Sequence, residues 1–109
     1  MTIAQLINET GWSVLTNVDL NKEIDGVFCG DILSYVIKNS SPNQIWITTQ
    51  NHLNVLAVAM LCQFSLIIIA GDVVVDDEIV RLANEKQLPL IKLRLSTYEV
   101  SKTLANLGL

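Results

Sequence analysis

The chain has 109 residues, half of them hydrophobic, and a formal net charge of -4. That length makes one domain, 1–109, large enough to bury a core without disulfide or metal staples. An acidic balance with no basic stripe excludes a nucleic-acid backbone as partner, and sparse glycine and proline exclude a disordered chain.

In chain order, Thr2 with Gln5 three residues on has the spacing of a capping box, and Gly11 closes the helix it opens. Met1 to Thr10 carries no lysine or arginine, so it reads as an amphipathic helix and not as a secretory signal. "WSVLT" (Trp12 to Thr16) is a short predicted strand, "NVDLNKEID" a polar connection, and "GVFC" a second strand ended by Gly30. Asp31 is placed to cap a helix whose apolar positions Ile32, Leu33, Val36 and Ile37 have helical spacing. "SSPN" is a loop and "IWIT" a third strand, followed by a helix from Asn51 to about Gln63. Leu66 to Ala70 is a fourth strand, ended by Gly71. Asp76 or Asp77 caps a helix reaching about Gln87, with its acids in the first turn where the helix dipole favours them. "PLIKL" is a fifth strand, and Ser96 with Glu99 forms a second capping box opening a helix that ends at Gly108.

The stretch from Trp46 to Asp72 holds no charged residue until its last position. A membrane span is one reading, since Leu53 to Gly71 is nearly long enough to cross a bilayer. Asn54, Gln63 and Ser65 interrupt it, however, and its halves differ in kind. "LNVLAVAML" is rich in leucine and alanine, as helices prefer, and "LIIIA" is β-branched, as buried strands prefer. The expectation is therefore a buried helix between two buried strands, with no membrane span. Strands alternating with helices from Val27 onward predict an α/β fold, with a mainly parallel sheet of about five strands covered on both faces. The Asn51–Gln63 helix is apolar almost all round, so its outer side must meet another helix or another subunit.

Ligands of open parallel sheets bind outside the carboxyl ends of the strands. There the sequence places Gly30 and Asp31, then Thr48, Thr49, Gln50, Asn51 and His52, then Gly71 and Asp72, and finally Arg94, Ser96 and Thr97. Capping alone explains Asp31, Asn51 and Ser96. Thr48, Thr49, Gln50 and Arg94 exceed what capping needs, and they make the rim a candidate binding site for a small polar or anionic metabolite. Free amides at the helix starts would suit a carboxylate or phosphate. Asp31 and Asp72 would oppose a highly charged anion.

A small enzyme using Cys29, Asp31 or His52 is the alternative. His52 is the only histidine and Cys29 has no second base, so the chain offers no paired acid and base. Cys29 and Cys62 fit no metal or redox spacing and read as reduced thiols of a cytoplasmic protein. No phosphate-binding glycine loop, dinucleotide fingerprint, zinc-protease helix or serine elbow is present, and Asp72, Asp76, Asp77 and Glu78 do not match a calcium loop. No catalytic residue, metal ligand or cofactor is assigned.

"GDILSYVI", "IWITTQNHLNVLAVAMLCQFSLIIIAGD" and "DDEIVRLANEKQLPLIKLRLSTYEVSKTLANLGL" together resemble the DRTGG domain, above all its small stand-alone members. The resemblance covers about Val27 to Leu109. It implies a three-layer α/β/α fold similar to the N-terminal domain of HPr kinase. It also implies a regulatory or dimerising module, since relatives carry the domain beside CBS modules in a regulated pyrophosphatase and inside long phosphotransacetylases. The family's Asp-Arg pair falls on Asn51-His52 and its Thr-Gly-Gly on Ala70-Gly71-Asp72, so only Gly71 agrees. A site built on the Asp-Arg pair would be altered here. The expectation is a non-catalytic homodimer, meeting through the Leu53 and Met60 side of the apolar helix, with a pure protein-interaction subunit as a further alternative.

Overall fold

In the computed structural model, which describes residues 1–109, four short runs of branched and aromatic side chains pair into one sheet. They are β1 (Val27–Cys29), β2 (Ile45–Thr48), β3 (Leu66–Ile69) and β4 (Leu90–Lys92). The strands lie in sequence order and all pairs are parallel, with Ile47 opposite Cys29 on one side and Ile68 on the other. Five helices surround them: α1 (Ile3–Thr10), α2 (Leu33–Asn39), α3 (Asn54–Cys62), α4 (Asp77–Glu85) and α5 (Thr97–Asn106).

The two-residue alternation of a strand sorts the core into two halves. Trp46, Ile67, Ile69 and Leu90 point to the face covered by α2, α3 and α4. Ile45, Ile47, Leu66, Ile68 and Ile91 point to the face covered by α1 and α5. The arrangement is therefore three-layered, α/β/α. Both central strands are buried at every position, which explains their unbroken apolar sequences. Fully burying each such side chain contributes about 1.5–3 kcal/mol. Most of the uncharged Trp46–Asp72 stretch is thus β2, α3 and β3, and no helix is long and apolar enough to cross a membrane.

The sheet has four strands where five were expected. Trp12–Thr16 forms no strand and touches β4 through one antiparallel bridge, Val14 to Ile91. The reason is Thr16, whose buried hydroxyl donates to the Leu88 carbonyl at 2.9 Å and accepts from the Leu90 amide at 3.2 Å. A side chain has taken the place of the next rungs of the ladder. Helix starts also differ. Asp31 does not cap α2; Ile32 holds that position, with no side-chain bond. Asn51 does not cap α3, which begins three residues later at Asn54 behind Leu53. Asp76 occupies the cap position of α4 without a side-chain bond, and α4 stops at Glu85. Both predicted capping boxes, Thr2 with Gln5 and Ser96 with Glu99, are formed.

Connections after β1, β2 and β3 lead to helices on one face, and the connection after β4 leads to α5 on the other. The chain therefore parts between the ends of β3 and β4, the place where open sheets receive ligands.

Candidate functional site

Asp31 is the centre of the strand-end rim. Released from capping, its carboxylate reaches across to the end of β2, where it takes three bonds. Thr48 Oγ1 donates at 2.8 Å, the Thr49 amide at 2.7 Å and Thr49 Oγ1 at 2.9 Å. Gln50 completes the turn: its side-chain amide donates to the Asp31 carbonyl at 3.0 Å, and its backbone amide donates to Thr48 Oγ1 at 3.1 Å. Trp46 Nε1 donates to the Gly30 carbonyl at 2.9 Å. Burial works against the charged form of Asp31. The Thr49 amide and the Thr48 and Thr49 hydroxyls outweigh it and hold the carboxyl below its ordinary value. The carboxylate is a clamp joining the β1 and β2 exits.

The β3 and β4 exits form a second cluster. Gly71 and Asp72 both adopt left-handed backbone, at φ 84° and 57°. Their amides donate to the Leu95 carbonyl at 2.8 Å and the Leu93 carbonyl at 3.1 Å, stitching the two loops together where they part. A side chain on Gly71 would meet Thr49 Cγ2 at 3.4 Å, so the two clusters touch. Arg94 stands in solvent with 91% of its side chain exposed, 3.8 Å from Asp72.

The remaining rim residues are less concentrated. Asn51 uses its side-chain amide to hold the Val74 carbonyl at 2.7 Å. His52 is exposed in the turn before α3. Ser96 caps α5, exchanging bonds with Glu99, and Thr97 is its first residue. Cys29 is exposed on the edge strand β1. The rim thus unites Gly30, Asp31, Thr48, Thr49 and Gln50 in one network and Gly71, Asp72 and Arg94 in another.

Sequence reasoning missed Trp46 as a partner of Gly30. It also missed a cavity of about 610 Å3 at the opposite end of the sheet, among the turns that enter β2, β3 and β4. The only signal for that cavity was the lack of glycine in turns where a helix passes directly into a strand.

An open parallel sheet with a polar rim at its strand exits, and with its most central carboxylate held by three donors, defines a small α/β domain. The chain belongs to the DRTGG domain family, whose model matches residues 4–107. No curated protein matches it.

Proposed function

We propose that the chain is a non-catalytic regulatory module that binds a small polar or singly charged metabolite at the strand-end rim and works as a homodimer. The observation that carries this reading is the state of Asp31. A carboxylate holding three donors, with its protonation disfavoured, cannot supply a proton near neutrality. It serves instead as a rigid frame beside the parting of β3 and β4. Arg94 is an exposed positive charge at that parting, and Gly71 lies against Thr49 of the frame. An Arg94 already 3.8 Å from Asp72, with Asp31 on the same rim, suits a singly charged or polar metabolite better than a nucleoside triphosphate.

A thermal-shift screen against metabolites, run on the parent and on Arg94→Ala, tests the binding. Arg94 is a clean probe because it is solvated, whereas Thr48 is buried and belongs to the clamp. A compound that stabilises the parent and not the variant supports the rim. If no compound does so, the ligand-sensing reading fails. Turnover of any screened compound that vanishes with Cys29→Ser or His52→Ala would establish the small-enzyme alternative instead.

The outer side of α3 supports the homodimer and also a second reading as a protein-interaction subunit. Leu53, Met60 and Leu61 are all at least two-fifths exposed there. Light scattering at tens of micromolar should give a dimer mass that Leu61→Lys halves. A monomer mass for the parent would remove the homodimer and leave another protein as the occupant of that face.

A further inference from the structure

The cavity at the strand-entry end has a composition that its structural duties do not explain. Three turns bring the chain from a helix on the α2–α4 face into β2, β3 and β4, and each contains a left-handed residue: Asn43 (φ 66°), Gln63 (φ 58°) and Gln87 (φ 57°). The last two close Schellman motifs. Phe64 and Leu88 donate back to the carbonyls of Ala59 and Ala83, while Gln63 and Gln87 donate to those of Met60 and Asn84. That position favours glycine, because a Cβ is strained in left-handed backbone. The chain does place glycine at other left-handed positions, at Gly11, Gly71 and Gly108. Here it places a carboxamide three times, and all three line the one cavity. Asn43 commits one donor to Asp25 Oδ2 at 3.3 Å and Gln87 one to the Asn84 carbonyl at 3.0 Å, which leaves each carboxamide oxygen, and the whole of the Gln63 side chain, unengaged.

The charges around the cavity are unequal in their commitments. Glu23 is paired with the Met1 amine at 3.3 Å, and Asp19 accepts the Asn21 amide at 2.9 Å. Lys22 and Lys86 line the same cavity with no carboxylate within ion-pair distance. The Schellman bonds occupy four carbonyls at the ends of α3 and α4, which blunts the negative helix ends that Lys22 and Lys86 would offset for an anion. Phe64 and Leu88 supply an apolar floor. Two free ammonium groups, three carboxamides and an apolar floor make a pocket in the size range of small-molecule sites.

We propose that this cavity binds a small organic carboxylate carrying a second hydrogen-bonding group. Lys22 and Lys86 hold the carboxylate, and Asn43, Gln63 and Gln87 read the polar remainder. The site lies at the opposite end of the sheet from the rim, so its failure leaves the rim reading untouched.

The test follows the side-chain amide resonances of Asn43, Gln63 and Gln87 by NMR during titration. The probes are free amino acids and 2-hydroxy acids, with inorganic phosphate and acetamide as counter-probes. At least one carboxylate should move all three resonances at millimolar concentration, and Lys22→Ala should weaken it about tenfold, the scale of one charge-assisted bond. Gln63→Gly relieves the left-handed strain and should raise the melting temperature. Gln87→Gly also loses its bond to the Asn84 carbonyl and should leave it near the parent's, and each variant should lose about tenfold in affinity. The proposal is overturned if no carboxylate moves the resonances, if phosphate or acetamide moves them equally, or if both glycine variants bind like the parent.

Discussion

At the strand exits the chain turns on Gly71 and on a carboxylate surrounded by donors; at the strand entries it turns on Asn43, Gln63 and Gln87 around open space. Both ends face the same task, which is to join buried strands to helices without stranding polar groups. The exits solve it by turning polar groups on one another, so that Asp31, Thr48, Thr49 and Gln50 form a closed set. Backbone bonds solve it at the entries, where Gln63 makes no side-chain hydrogen bond and Asn43 and Gln87 each commit one donor to a neighbour. Rigidity is thus concentrated at one end, and adaptable hydrogen-bonding capacity at the other.

The contrast breaks most visibly at Asp31. Asp31→Ala leaves the hydroxyl of fully buried Thr48 and two donors of Thr49 without their acceptor. It should cost about 2–4 kcal/mol, read as a lower urea midpoint. Protonation should act in the same direction. Folding lowers the Asp31 pKa, so the clamp's stability is complete above the unfolded value of about 3.9 and is lost as pH falls through the folded value. Asp31→Asn should therefore trail the parent near neutrality and converge on it in acid. A gap between the two that stays constant with pH would show that Asp31 holds the rim by shape alone.

Gly71→Ala probes the same end with a smaller effect. It places a Cβ in left-handed backbone and 3.4 Å from Thr49 Cγ2. The expected loss is about 1–2 kcal/mol. Because Thr49 belongs to the clamp, Gly71→Ala combined with Asp31→Ala should fall short of the summed losses. Strict additivity in urea titrations would mean that the two exit clusters are independent.

How much of this contrast is legible in the sequence depends on the range of the interaction. The layers and the order of helices follow from local patterns such as "IWIT" and "LIIIA", which need only neighbours to be read. The capping boxes at Thr2 and Ser96 close within four residues and were equally plain. Asp31 looked like another cap, since a carboxylate before a helix usually is one. Its actual partners lie 17 and 18 positions away, and only the parallel register of Cys29 with Ile47 brings them close. Trp12–Thr16 failed as a strand for a related reason, because the Thr16 hydroxyl meets Leu88 and Leu90 across more than 70 positions. The rim residues were placed at the right end of the sheet by topology, while their pairing into two networks depended on side-chain reach that spacing does not encode.

The smallest effect bears on the entry turns, and its sign matters more than its size. In Gln63→Gly the left-handed backbone at φ 58° loses its Cβ strain, a gain of about 1–2 kcal/mol. Glycine also enlarges the freedom of the unfolded chain, which returns about 0.4–1 kcal/mol of that gain. Gln63 makes no side-chain hydrogen bond to offset the balance, whereas Gln87 donates its side-chain amide to the Asn84 carbonyl at 3.0 Å. Gln63→Gly should therefore stabilise by about 0.5–1 kcal/mol, and Gln87→Gly should come out near zero or slightly destabilised, since a net hydrogen bond of about 1 kcal/mol is also lost. The urea midpoints of the two variants measure this directly. A rise for Gln63→Gly would show that the parent gives up stability to keep a carboxamide in the cavity. A fall would mean that the side chain supports the turn itself, and the two ends of the sheet would then differ less than their geometry indicates.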